Sequence, residues 1–93
     1  STTPEKMQEC IEKLKTMLIQ HPDIHNEVKV YFDKFGDSSL DILVDCFAKT
    51  DLYFDWLEIK SKVNLEIMKL MADEGVSIAL PSHSVYLSNG DVP

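Results

Sequence analysis

The order of two hydrophobic patterns along the chain constrains its fold more than any other feature. Apolar residues recur at helical spacing from Met7 to Leu18 and again from Trp56 to Leu70. Between these segments, residues 28–33 and 40–49 alternate apolar and polar side chains, which is typical of half-buried strands. Two shorter extended segments, 76–80 and 84–87, follow the second helix. The sequence therefore predicts the order α-β-β-α-β plus a short C-terminal strand.

The ends of the predicted helices carry recognisable signals. Thr3 can cap the first helix and Pro4 suits its first turn, whereas Pro22 disfavours helix in the residue before it. The second helix is predicted from about Tyr53 to Glu74, with Gly75 as its C-terminal cap. Its charged residues predict a solvated outer face, formed by Glu58, Lys62, Glu66, Lys69 and Asp73.

This order predicts an α+β fold, a ferredoxin-like two-layer sandwich that lacks its first strand. In that arrangement the first strand is central, here between residues 40–49 and residues 76–80. Unpaired strand edges are templates for further pairing, so we expect residues upstream of this chain or a strand of another chain to fill the gap. The alternative is that residues 84–87 fill it internally.

Length and composition predict one domain, residues 1–87, followed by a polar tail, residues 88–93. Of the 93 residues 44% are hydrophobic, a fraction normal for a globular domain. No apolar run approaches the roughly 20 residues that span a bilayer, so the chain itself is expected to be soluble.

The charge of the chain argues against nucleic acid as a partner. Sixteen acidic residues face nine basic ones, for a net charge of −7. All nine basic residues are lysine, and arginine supplies the bidentate contacts that phosphate and guanine favour. An acidic surface also repels a polyanion.

No residue pattern predicts catalysis, a metal site or a cofactor. His21 and His25 have the spacing of a helical metal pair, but Pro22 lies between them and no third ligand is nearby. Cys10 and Cys46 occupy apolar positions of their elements and are predicted to be reduced core thiols. The phosphate-binding and nucleophile motifs are missing from the sequence, so the chain is not expected to be an enzyme.

One face of the predicted sheet carries an unusual set of side chains. Tyr31, Leu43 and Phe47 are predicted to point away from the helices, amid Asp41 and Asp45. Large apolar groups on a face that is expected to be exposed to solvent suggest a subunit contact. Ordinary cross-strand pairing of exposed aromatic residues explains them equally well.

Several segments resemble a known family. The predicted hairpin turn comprises Phe35, Gly36, Asp37, Ser38, Ser39 and Leu40, and the segments 75–81 and 84–87 lie near the end of the chain. Together with the helix that contains Trp56, they resemble the C-terminal cytoplasmic α+β domain of the small-conductance mechanosensitive (MscS-like) channels. The resemblance covers roughly residues 2–87.

The resemblance implies a place in a larger machine. Channels of this family have seven copies of one subunit in the bacterial inner membrane, and membrane tension gates them during hypo-osmotic shock. The α+β domain forms part of a hollow cytoplasmic cage, the vestibule, whose floor is a small barrel of final strands. By this resemblance residues 35–40 form a structural turn, and three further residues are candidates for subunit contact: Val85, Tyr86 and Leu87. The chain would meet the membrane only through segments it lacks.

The sequence is compatible with two interpretations of the acidic residues and with two functions. The acidic residues Asp41, Asp45, Glu58 and Glu66 could face solutes and bias which ions reach the pore, or could merely keep the domain soluble. The competing function is a free-standing ferredoxin-like regulatory module that binds a small molecule. Its marker, a glycine-bearing loop before the first helix, would precede Ser1.

Overall fold

A computed structural model describes residues 2–35, 40–76, 78–79 and 84–87, and these form an α+β sandwich. The elements, in chain order, are α1 (Pro4–Ile19), β1 (Lys29–Phe35), β2 (Leu40–Phe47), α2 (Tyr53–Glu74), β3 (Ile78–Ala79) and β4 (Ser84–Tyr86). The predicted order and fold class are confirmed. The centre of the predicted turn, residues 36–39, and the predicted tail, residues 88–93, lie outside the described residues.

Both predicted helix caps are present. The Thr3 hydroxyl accepts a hydrogen bond of 3.1 Å from the backbone N–H of Lys6 and so satisfies one free donor of the first turn. Gly75 ends α2 in the left-handed conformation, with φ of 69°. There the N–H of Val76 donates to the carbonyl of Met71 at 3.1 Å, as glycine-terminated helices require.

Strand β2 is paired along both of its edges. On one side it pairs antiparallel with β1, in a register that places Val30 opposite Val44 and Tyr31 opposite Leu43. On the other side it pairs in parallel with β3 at Leu40–Asp41 and with β4 at Asp45–Phe47.

The expectation that upstream residues or another chain would fill the gap beside β2 is therefore wrong for this chain. The last strands fill it internally, as the alternative proposed. α2 carries the chain back across the sheet, so the segment after Gly75 runs parallel to β2. The Trp56 indole N–H then holds β4 in place, donating to the Val85 carbonyl at 2.7 Å.

The core lies between the two helices and one face of the sheet. The core consists of buried apolar side chains from α1, the sheet and α2. They include Met7, Cys10, Leu14, Leu18, Val30, Ile42, Val44, Cys46, Trp56, Val63, Ile67, Met71 and Val85. Two details differ from the sequence analysis. Met71 is buried where Leu70 was expected, and Phe32 is partly exposed, because the register of β1 shifts directly after it.

A cluster of charges joins the helices on the surface. The two carboxylate oxygens of Glu74 on α2 lie 2.9 Å from the Lys6 and Lys13 ammonium groups of α1. The hydrogen bond from Lys13, and next that from Lys6, lowers the pKa of Glu74. The same bonds raise the pKa of both lysines. The cluster also includes the local i,i+4 pair Glu9–Lys13, at 3.4 Å.

Replacing Glu74 by glutamine should lower the free energy of unfolding by an amount that depends on pH. A carboxylate whose pKa is lowered by folding stabilises the fold above its unfolded value, 4.5, and loses that contribution as pH falls through the folded value. The difference in unfolding free energy between wild type and Glu74→Gln should thus be constant near neutral pH and shrink in acid. Urea unfolding across the acid range measures it. Glu58→Gln, on an exposed part of α2, is the control, and a difference for Glu74→Gln that persists in acid would contradict the assignment.

Candidate interaction surfaces

The face of the sheet away from the helices carries large side chains from three strands. We call it the outer sheet face and define it by Tyr31, Leu43, Phe47 and Tyr86. Tyr31 is 58% exposed and lies opposite the half-buried Leu43. The rings of Phe47 and Tyr86 pack with their centroids 5.1 Å apart. Four of the six predicted contact residues therefore share one surface.

The predicted acidic residues do not share one environment. Asp41 is only 7% exposed, so the prediction that it faces solutes is wrong for this chain. Asp45 is half-buried, and its enclosed Oδ1 has no hydrogen-bond partner within the described residues. Glu58 is exposed. Glu66 is bound to His21, whose Nε2 lies 3.1 Å from its carboxylate.

The ring of His21 is fixed at both nitrogens. Its Nδ1 accepts a hydrogen bond of 3.1 Å from the backbone N–H of Asp23. The neutral ring therefore carries its proton on Nε2 and donates it to Glu66. This contact ties the end of α1 to α2, so the His21 ring is a structural link. No group of three or more potential metal ligands occurs within residues 2–35, 40–76, 78–79 and 84–87.

The C-terminal contact candidates divide between the two sides of the sheet. Val85 is a core residue and Leu87 packs against the core, so neither side chain is available on the outer sheet face. Tyr86 alone of the three joins Phe47 there. The alternation of β4 explains the division, because successive side chains of a strand point to opposite faces.

Helix α2 carries an apolar surface that the sequence analysis missed. Phe54, Leu57, Leu65 and Met68 are 79%, 37%, 63% and 69% exposed, with the exposed Ser61 among them. At 100° per residue these five positions form one row opposite the buried face, which we call the α2 stripe. The charged residues predicted to form the outer face lie along one side of this row. The spacing 54, 57, 61, 65, 68 would have revealed it, had exposed positions been tested for periodicity as well as core positions.

Both thiols belong to the interior. Burial, and next the charge of Asp45, raises the pKa of Cys46 to about 11, and burial also raises the pKa of Cys10. Both cysteines are free and buried. Both side chains are fully buried, which confirms that they are core residues, and a protonated, enclosed thiol is a poor nucleophile.

Neither cysteine should react with a thiol reagent in the folded chain. Reagents attack the thiolate, so at neutral pH the labelling rate should be limited by opening of the fold. Time courses with an aromatic disulfide reagent, with and without denaturant, measure it. Ser61→Cys supplies an exposed matched thiol that should label immediately. Rapid labelling of Cys46 in the wild type would contradict its placement in the core.

The fold and its surfaces define a small α+β sandwich domain with two exposed apolar surfaces, one on the sheet and one on α2. Within the described residues no helix is long and apolar enough to cross a membrane. Comparison with known proteins identifies the family of this domain. The model of the family "Mechanosensitive ion channel MscS, C-terminal" matches residues 1–78. The chain belongs to the MscS family, and it corresponds to the C-terminal domain.

Individual proteins similar to this chain are named as MscS family proteins or as mechanosensitive channels. The chain is 38% identical over 89 residues to an uncharacterized MscS family protein of Aquifex aeolicus, covering 94% of this chain and 24% of that protein. It is 37% identical over 86 residues to the low conductance mechanosensitive channel YnaI of Escherichia coli, covering 90% and 25%. It is 34% identical over 95 residues to the large-conductance mechanosensitive channel MscMJLR of Methanocaldococcus jannaschii, covering 98% and 26%. The chain thus spans about a quarter of the length of these relatives.

Proposed function

We propose that this domain forms part of the wall of a cytoplasmic vestibule in a tension-gated channel that releases solutes on hypo-osmotic shock. The carrying observation is the family match over residues 1–78, together with relatives named as mechanosensitive channels in a bacterium and an archaeon. The channel would lie in the bacterial inner membrane with this domain on its cytoplasmic side. Conduction and tension sensing would belong to other parts of that protein.

The role of the domain in this proposal is structural and self-associating. The outer sheet face supports it, because Tyr31, Leu43, Phe47 and Tyr86 combine apolar area with hydroxyl groups, as interface cores do. We propose seven copies around the pore, in keeping with the resemblance. Contacts between rigid sandwiches would then hold the wall together while solutes pass.

The acidic surface gives a second, finer part of the proposal. With Asp41 buried, Glu58, Glu66 and the half-buried Asp45 are what remains of the four acidic residues predicted to influence passing ions. Neutralising Glu58 and Glu66 in the full channel and measuring reversal potentials tests whether they bias selectivity. An unchanged reversal potential would leave the acidity with a role in solubility alone.

The main test uses the full-length protein that contains this domain. Expressed in a bacterial strain without mechanosensitive channels, it should restore survival after osmotic downshock and give tension-activated currents in membrane patches. Tyr31→Glu should reduce assembly and survival, whereas Ile19→Glu, an equal charge change outside the outer sheet face, should not. The proposal would be overturned by a protein that inserts and assembles but gives no current when tension is raised until the patch ruptures.

A further inference from the structure

We propose that His21 is a proton-operated switch, which keeps the turn after α1 closed while its ring is neutral and releases that turn when the ring is charged. The turn comprises residues 21–25 and joins the end of α1 to the end of β2. The inference concerns the fold of this chain, and it stands whether or not the proposed function is correct.

The first argument is the bonding of the buried ring. The His21 side chain is 8% exposed, and its Nε2 lies 3.1 Å from the carboxylate of Glu66. Its Nδ1 accepts a hydrogen bond of 3.1 Å from the backbone N–H of Asp23. In the charged ring both nitrogens carry a proton and neither can accept. Charging therefore places two donors, the ring N–H and the Asp23 N–H, against each other at hydrogen-bonding distance.

The second argument is that the two contacts of the ring respond in opposite directions. A charged His21 forms an ion pair with the carboxylate of Glu66, so the link from the ring to α2 is kept. The hydrogen bond from the Asp23 N–H has no such replacement and is lost. A backbone donor that loses its partner must find water, because an unpaired buried N–H is unfavourable. The ring thus stays on α2 while the turn separates from it.

The third argument is what the turn holds in place. The Asp23 carbonyl accepts from the N–H of Lys49 at 2.8 Å, and the N–H of His25 donates to the Phe47 carbonyl at 2.9 Å. Between these two hydrogen bonds lies Ile24, which is 1% exposed and belongs to the core. Opening the turn therefore loosens the end of β2. The change is local, since the apolar burial of Ile24 still opposes complete separation.

The charges around the ring come from α2 and from the turn. On α2 they are Glu66 and Lys62, and on the turn the Asp23 carboxylate lies 3.7 Å from the Lys62 Nζ. The last turn of α1 has no charged side chain. His25 and Lys49 are the titratable groups on the two segments that pair there. Between about pH 5 and 8 histidine is the side chain that ordinarily changes charge, so His25 is the group to be separated from His21.

Nuclear magnetic resonance of the folded chain measures both halves of the switch. Imidazole nitrogen shifts report the charge of His21. Exchange of the Asp23 and Lys49 amides, corrected for the intrinsic pH dependence of exchange, reports the closure of the turn. As the ring becomes charged, protection of both amides should fall about tenfold, because one hydrogen bond of ordinary strength is lost. The β1–β2 amides should keep their protection, and the ring and turn transitions should share one midpoint.

Two neutral substitutions are matched controls. His21→Asn offers a carbonyl oxygen near the position of Nδ1, so it keeps an acceptor for the Asp23 N–H and cannot become charged. Its amide protection should equal that of the neutral wild type from about pH 8 to 5. His21→Gln reaches toward Glu66 and leaves the Asp23 N–H without its acceptor, so it should show the low protection already at neutral pH. Circular dichroism verifies that both variants fold.

The wild type alone can overturn the proposal. Protection of Asp23 and Lys49 that stays constant while the ring becomes charged would do so, as would a ring that stays neutral until the whole domain unfolds in acid. A pH response that persists in His21→Asn would assign the effect to another group, such as His25. Full protection in His21→Gln at neutral pH would mean that the turn closes without the ring, and His21 would then be a structural link only.

Discussion

Replacing Leu14 by alanine is expected to lower the free energy of unfolding by about 2–5 kcal/mol. Leu14 is completely buried at the middle of α1, where the helix packs on the sheet and on α2. Truncation removes apolar area and leaves a cavity that fixed neighbours fill only in part. Domains of this size have a total stability of about 5–15 kcal/mol, so the variant should lie near the limit of folding.

Urea unfolding followed by circular dichroism measures this loss. Ile19→Ala is the matched control, since Ile19 ends the same helix and is 40% exposed, and its cost should stay below about 1 kcal/mol. The slope with urea should be equal for both, because the folded state stays compact. A Leu14→Ala cost as small as that of Ile19→Ala would contradict the packing of α1 in the core.

Local chemistry explains what the sequence predicted well. Helix α2 was predicted with the bounds Tyr53–Glu74 that the structure has, because apolar periodicity and the Gly75 cap both act within a few residues. The N-cap at Thr3 follows from the same kind of short-range hydrogen bond. The β1–β2 hairpin followed from two alternating segments that are close in the chain.

Long-range contacts explain what the sequence left undetermined. The pairing of β4 with β2 depends on the path of the chain after α2, and nothing within residues 84–87 encodes it. Glu74 reaches lysines more than sixty positions away, beyond any local spacing rule. The α2 stripe was missed for a different reason, since only the periodicity of the core face was considered. Its four large residues are as regular as the core positions, but exposure is a tertiary property.

Removing the Trp56 side chain should have an equally large effect, of about 3–5 kcal/mol for Trp56→Ala. The ring is 6% exposed, and its N–H is the donor to the Val85 carbonyl at 2.7 Å. Trp56→Phe separates these contributions, because it keeps an aromatic ring and leaves that carbonyl without the indole donor. We expect it to cost about 1–3 kcal/mol. Tyr53→Ala, a half-exposed aromatic one turn earlier, is the control.

Hydrogen exchange then shows where the loss occurs. The N–H of Ala48 donates to the Tyr86 carbonyl at 2.8 Å, so its protection reports directly on the docking of β4. If the indole hydrogen bond holds β4 against β2, Trp56→Phe should speed exchange at Ala48 more than at the β1–β2 amides, because β4 opens locally before the domain unfolds. Uniform acceleration at all these amides would mean that Trp56 stabilises only the global fold. Unchanged protection at Ala48 would mean that the internal strand is held on β2 by its backbone pairing alone.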